Sequence, residues 1–340
     1  MRRKNSSVIL KESFETQEDL FQIYSLFKKK IKFYIKKKLL VAVSGGPDSL
    51  ALTALSKALV YEKKCKIYYV LIDHNLRKGS SKEALSVKKL LKKHKINLFI
   101  LKNSKVIDKN IQSQAREIRY ELLSKFCKKK NISTILTAHN LEDQVETFFI
   151  RLSRGSGLHG LSSMKEVSKL EKKITLVRPL LDVKKIKLIK ISKIIFGKFY
   201  KDPSNNNSKY LRTRIRGLKT TLEKGGVSYD QITKSIKNLS ASRDTLDLHF
   251  NKIYKDLFIE KKRSIFLDLY KFNNLNQEMR MRTLSKSIKD VSKSYYPLRS
   301  KKIINLDAKL KMKNNLKLSL AGCLIFKDKK QIIIKKTEKN

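Results

Sequence analysis

Four short apolar runs alternate with amphipathic stretches through the first half of the sequence, and that alternation leaves few folds open. The runs are residues 39–43 (LLVAV), 67–72 (IYYVLI), 97–101 (NLFIL) and 133–138 (STILTA). Each is apolar on both sides of a pleat, as in strands covered on both faces of a parallel sheet. Between them the apolar spacing is helical. Leu50, Leu52, Leu55 and Leu59 follow the first run. Residues 82–94 place Leu85, Leu90 and Leu91 inward, and the next helix carries Ile111, Ala115, Ile118, Leu122 and Phe126 on one face. A further helix is expected over residues 141–152. Strand–helix alternation predicts an α/β fold, a parallel sheet with right-handed crossovers. Ligands of such sheets bind beyond the carboxyl ends of the strands. The residues there are Ser44 to Ser49, Asp73 and His74, Asn103 and Ser104, and His139 and Asn140.

The first strand–helix junction reads Ser44-Gly45-Gly46-Pro47-Asp48-Ser49. Glycines there admit positive φ and close approach of a ligand. Free amides at a helix start, reinforced by the helix dipole, attract phosphate. The junction lacks the GK[ST] of a Walker A loop and is not G-x-G-x-x-G. Its distinguishing feature is an acid, Asp48, which suits Mg²⁺ bridging phosphate oxygens. A helix N-cap acid is the alternative compatible with the same position.

Lys and Arg number 79 against 30 Asp and Glu, a formal charge of +49. Such an excess suits a polyanionic partner, and nucleic acid is the leading expectation. Lysine-rich compositional bias is the competing explanation. Cys65, Cys127 and Cys323 stand apart with no CxxC, so neither a zinc site nor a redox pair is expected, and isolated thiols suit a cytoplasmic setting. The start, MRRKNSSVILKESFETQEDL, has no continuous apolar stretch of the signal-peptide kind, and no run approaches a membrane span. The Lys-rich residues 28–38 suit a solvated helix face. Residues 1–220 are expected to form one domain. Residues 221–340 are expected to form a helical and small C-terminal domain contacting RNA, with one or two helices over 232–259 and a β-containing tail from Leu316.

Several stretches then read together: SGGPDS, DHNLRKGS (73–80), AREIRY (115–120), TAHNLEDQVETFFIRLSRGSGLHGL (137–161), VRPLL (177–181) and DPSNNNSKYLRTRIR (202–216). The first resembles the PP-loop of the ATP pyrophosphatases. In this order they resemble the tRNA(Ile)-lysidine synthetases over about the first two thirds of the chain. The resemblance implies a Rossmann-like PP-loop domain followed by a helical linker and a small C-terminal domain. It implies a reaction in which ATP adenylates the wobble cytidine of the CAU-anticodon isoleucine tRNA, releasing pyrophosphate. Free L-lysine then attacks carbon 2 and expels AMP, giving lysidine, which reads AUA.

Under that resemblance Ser44, Gly45, Gly46, Pro47, Asp48 and Ser49 bind ATP, with Asp48 on Mg²⁺ and His74 bordering the adenine. Asp143 and Glu146, at i and i+3, belong to the lysine site, with His139 between it and the nucleotide. Arg116 and Arg119 share one helix side. Arg116 is assigned to catalysis with Asp48, His139 and Asp143, and Arg119 to tRNA. Arg151 and Arg154 lead into a flexible glycine-containing loop suited to a phosphate backbone. Arg178 is a further RNA contact, and Arg212, Arg214 and Arg216 alternate as on an extended segment, all facing one way. The family's second His after TAH is replaced by Asn140, and R-N-x-I-R reads Arg212-Thr213-Arg214-Ile215-Arg216. Two rival functions remain open: a PP-loop tRNA thiolase, which would need sulfur delivery, commonly by paired or cluster-binding cysteines, and a non-catalytic RNA-binding protein. Oligomeric state, a homodimer included, is not legible.

Overall fold

The computed structural model describes residues 14, 17–35, 38–62, 65–76, 79–107, 111–200, 209–261, 264–294, 298, 300–313 and 315–337. The motif residues 77–78 and 202–208 lie outside them, as do residues 1–13. The chain divides into two compact units, Met1–Lys237 and Asn238–Asn340.

Among the described residues, the first unit orders as α1 (Glu18–Ile31), β1 (Lys38–Val43), α2 (Pro47–Glu62), β2 (Lys66–Asp73), α3 (Ser80–Lys93), β3 (Leu98–Lys102), α4 (Ile111–Lys130), β4 (Thr134–Leu136), α5 (Leu141–Leu152), α6 (Leu158–Leu161), β5 (Val167–Glu171), β6 (Ile174–Val177), α7 (Lys185–Phe196), α8 (Leu211–Gly217) and α9 (Lys219–Lys224). The long helix α10 (Tyr229–Leu257) carries the chain into the second unit. The sheet order is β3-β2-β1-β4-β6-β5, parallel except for β5, which pairs antiparallel with β6.

Alternation along the strands builds two cores. Leu39, Val41, Tyr69 and Leu71 face one side, where α1, α2, α3 and α7 supply Phe27, Leu52, Leu91 and Leu188. Leu40, Tyr68, Val70 and Ile135 face the other and meet Leu123, Phe126 and Cys127 of α4. All four predicted leucines of α2 are buried. On α3 the expectation for Leu85 fails: it is 59% exposed, and Ala84 and Val87 join Leu90 and Leu91 instead. Ile111 likewise lies in the exposed first turn of α4, with Ala115, Ile118 and Phe126 buried below it. The Lys-rich run is only partly a helix face, since α1 ends at Ile31.

The order 3-2-1-4 places a topological switch between β1 and β4. Consecutive crossovers run to opposite sides there, and the two strand ends open a crevice. The loop after β1 is SGGPDS, and the loop after β4 is Thr137-Ala138-His139-Asn140.

The second unit is an antiparallel sheet in the order β7-β8-β11-β10-β9. Its elements are β7 (Phe258–Lys261), β8 (Ser264–Asp268), α11 (Leu269–Asn273), α12 (Gln277–Ser292), α13 (Ser300–Met312), β9 (Leu316–Leu320), β10 (Cys323–Lys327) and β11 (Gln331–Lys336). Leu267, Ile325 and Ile334 of the sheet pack with Leu284, Ile288 and Leu306 of the helices. Arg280 of α12 donates to Asp307 of α13 at 2.9 and 3.2 Å, a buried pair between the two helices. Among the described residues, no helix is long and apolar enough to cross a membrane.

Candidate active site

The phosphate-loop geometry follows from its sequence. Gly45 takes φ +83°, and a Cβ built there would stand 2.6 Å from Val87 Cγ2, so both backbone and packing exclude a side chain. Ser49 Oγ accepts from the Ser44 amide at 3.1 Å and donates to the Gly46 carbonyl at 2.9 Å, closing the loop on itself. Pro47 opens α2, where its missing N–H costs no helix bond.

Asp48 sits in the first turn of α2, one residue inside the helix, and its Oδ1 is buried without a hydrogen-bond partner. Burial, opposed by the charge of Lys185 and reinforced by Asp143, pushes its carboxyl up to about 6. A carboxylate oxygen buried without a partner suits a bound cation. Among the described residues, no three His, Cys, Asp or Glu side chains are arranged so that they could hold a metal ion by themselves. A Mg²⁺ on Asp48 would therefore complete its shell with phosphate oxygens and water, as this hard cation usually does.

The loop after β4 is set by a capping box. The Asn140 side chain accepts from the Asp143 amide at 2.9 Å, and Asp143 Oδ2 accepts from the Asn140 amide at 3.1 Å. The Asn140 side chain also lies by the Asp48 carboxylate and favours its charged form. Asn140 thus stands where the two loops meet at the switch point. From the sequence it reads as a departure from a motif; the N-x-x-D spacing before α5 is the signal that identifies it. Lys185 is the other residue the sequence reading leaves out. Its amide donates to Glu142 Oε2 at 2.9 Å, and its charge offsets the acids around Asp48.

Glu146 lies one turn beyond Asp143 and is 2% exposed. Arg216 binds it through both nitrogens, Nε at 2.7 Å and Nη2 at 3.2 Å, and Arg212 Nε lies 3.3 Å from Oε2. Burial and the Asp143 charge push the Glu146 carboxyl up, while the Arg216 hydrogen bond pulls it down. The arginine row is therefore not extended. Leu211–Gly217 is a helix packed on α5, so Arg212 and Arg216, at i and i+4, share the face that meets Glu146. Ile215 packs inward and Arg214 is exposed off that face.

His139 accepts or donates at Nδ1 with Thr137 Oγ1, 3.0 Å away. Burial, then the charges of Arg178, Arg116, Arg212 and Arg119, hold its imidazole well below the usual range and neutral. Four of the arginines picked out in the sequence thus act on one histidine. Arg119 Nε and Nη2 each lie 3.4 Å from His74 Nε2. Burial and Arg119 together bring His74 down to about 4. Since arginine only donates, Nε2 accepts and Nδ1 carries the proton. Arg116 lies over the Tyr120 ring at 5.1 Å. Asp73 orders the loop after β2, accepting from Ser80, Ser81 and the Asn75 amide at 2.6–3.0 Å.

Two arginines expected on RNA are turned inward. Arg178 is 5% exposed and donates to the Lys165 carbonyl and Ser168, which anchors the β5–β6 hairpin. Arg151 donates to the carbonyls of Gly160 and Ser163 at 2.7 and 2.9 Å, tying down the loop that the sequence presents as flexible. Arg154 is exposed.

A PP-loop domain model matches residues 17–220. A tRNA(Ile)-lysidine synthase of Wolbachia pipientis wMel is 33% identical over 307 residues, covering 88% of this chain and 71% of that protein. The enzyme of the same name from Orientia tsutsugamushi (strain Boryong) is 43% identical over 182 residues, 53% of this chain and 41% of that one. Among solved structures, a U34-tRNA thiolase from Methanococcus maripaludis with its 4Fe-4S cluster superposes with a TM-score of 0.56 at 17% identity, over 66% of this chain and 79% of that one, a likeness of fold. With a phosphate loop and its acids gathered at the sheet's switch point and relatives of this extent, the chain belongs to the PP-loop ATP pyrophosphatases, in the tRNA(Ile)-lysidine synthase family.

Proposed function

We propose that this protein joins free L-lysine to carbon 2 of the wobble cytidine in the CAU-anticodon isoleucine tRNA, with ATP as the activating substrate. The observation that carries the reading is the set of acids at one crevice. Asp48 stands at the phosphate loop with an oxygen lacking any partner, and Asp143 and Glu146 line the adjoining helix. A site that only held nucleotide would not need two further acids there; a site that also captures a cationic amino acid does.

The amides and hydroxyls of Ser44, Gly45, Gly46 and Ser49 receive the phosphates. Mg²⁺, held by Asp48, would neutralise phosphate oxygens and make the α-phosphorus more electrophilic. The cytidine O2 attacks that phosphorus and pyrophosphate leaves. Arg116 supplies fixed positive charge to the oxygens that gain charge in this step. His139, kept neutral, orients groups without adding a further charge among the arginines. Asp143 and Glu146 hold the lysine. Its amine attacks carbon 2 once deprotonated, since an ordinary pKa of about 10.4 leaves it mostly charged, and AMP departs. Arg119, Arg154 and Arg214, all exposed, are the residues this reading assigns to RNA phosphates.

Cys65, Cys127 and Cys323 are each buried and unpaired to one another, which gives the thiolase reading no sulfur-relay geometry. The partial reactions provide the test. Pyrophosphate release should require tRNA and proceed without lysine. Lysine-dependent exchange of pyrophosphate into ATP without tRNA would overturn the scheme.

A further inference from the structure

The acid assigned to lysine is already occupied. Glu146 has almost no exposed surface, and its two oxygens are covered by Arg216 and Arg212 of α8. The guanidiniums themselves are different: the side chains of Arg212 and Arg216 are 41% and 36% exposed. Each cation therefore has one side on a buried carboxylate and another open to solvent. Two guanidiniums on one carboxylate also leave surplus positive charge, which repels an incoming ammonium.

Resting on the lysine-site reading, we infer that Arg212 and Arg216 are a place-holder for the substrate's ammonium. RNA phosphates draw them off Glu146, so tRNA binding opens the lysine site. The exchange keeps every charge partnered: arginine passes from carboxylate to phosphate, and lysine takes the carboxylate. Neither move is favourable alone, because a buried carboxylate stripped of its partner is costly. Linkage then requires the reciprocal effect, with lysine tightening RNA by the same factor that RNA tightens lysine.

Calorimetric titration of lysine into the full chain, without ATP so that no turnover occurs, measures this directly. One arm is the protein alone and the other is the protein saturated with an anticodon stem–loop RNA. Wild-type protein should bind lysine at least about fivefold more tightly with RNA present, the lower end of ordinary coupling. In R212Q/R216Q the lysine affinity without RNA should rise to near the RNA-bound wild-type value, and the coupling factor should fall to about one. The wild-type pair of titrations stands even if the double variant folds poorly. Wild-type protein that makes lysidine yet binds lysine equally with and without RNA overturns the place-holder and leaves the ligase reading intact. So does coupling that survives R212Q/R216Q. Protein that binds lysine in neither state overturns both.

Discussion

His74 and Asp48 sit at two strand ends and are displaced in opposite senses by burial. Burial lowers a histidine because its charged form is the cation, and raises an aspartate because its charged form is the anion. His74, brought to about 4 by burial and Arg119, should titrate in NMR spectra far below an ordinary histidine, and Arg119→Gln should move its midpoint upward. A histidine resonance for His74 titrating near 6.5 would contradict the contact. The stability consequence has a definite sign. The unfolded chain takes up the His74 proton below about 6.5 and the folded chain only near 4, so this group's contribution is lost as pH falls through that window. For Asp48, the loss of a metal-holding oxygen is decisive. Asp48→Asn should slow pyrophosphate release by about a hundredfold or more, ~3 kcal/mol of barrier, with RNA affinity unchanged in filter binding. Wild-type turnover in the variant would remove Asp48 from the chemistry.

At the scale of elements, much of the first unit is legible because burial on both faces of a strand leaves an unbroken apolar run. Strands β1 to β4 and helix α5 fall within a residue or two of the sequence reading. The hairpin β5–β6 is not legible in that way: Val167–Glu171 is half-exposed and short, so it carries neither alternation nor a continuous run. The segment after Tyr210 misleads for a different reason. Alternate arginines in LRTRIRG match period two, but tertiary pairing of Arg212 and Arg216 with Glu146 selects the helix. The same pairing makes α8 energetically tied to α5. Arg216→Ala should lower the urea-unfolding free energy by about 1–3 kcal/mol, since Arg212 still compensates part of the buried charge. A change below about 0.5 kcal/mol would show the pair to be incidental. In the phosphate loop, Gly45→Ala meets both a positive φ and the Val87 contact. It should weaken ATP binding more than tenfold in equilibrium titration while leaving far-UV circular dichroism unchanged.

For the whole molecule, the charge of +49 is readable at once, but its local use is not. Arg178, Arg151 and Arg280 are engaged inside the fold by carbonyls and carboxylates, although a count treats them as free cations. Asn140 shows the converse, a residue that motif matching discounts and that the fold places where two loops meet. The second unit is visible in the sequence only as the helix that enters it and a β-containing tail, because β7 and β8 are short and separated from β9, β10 and β11 by helices. Removing Arg212, Arg214 and Arg216 together should reduce the slope of log affinity for tRNA against log salt, by about 0.7–0.9 for each phosphate no longer neutralised. An unchanged slope would place the RNA elsewhere.

In the proposed reaction lysine becomes part of the RNA base. Purified protein incubated with ATP, Mg²⁺, isotopically labelled lysine and a tRNA pool, followed by digestion and nucleoside mass spectrometry, reads this without intermediates. One new labelled nucleoside is expected, cytidine plus lysine less water, confined to the wobble position of the CAU-anticodon isoleucine tRNA and absent when ATP or lysine is withheld. A sulfur-containing nucleoside, or tRNA left unmodified by protein that binds it, would contradict the proposed reaction.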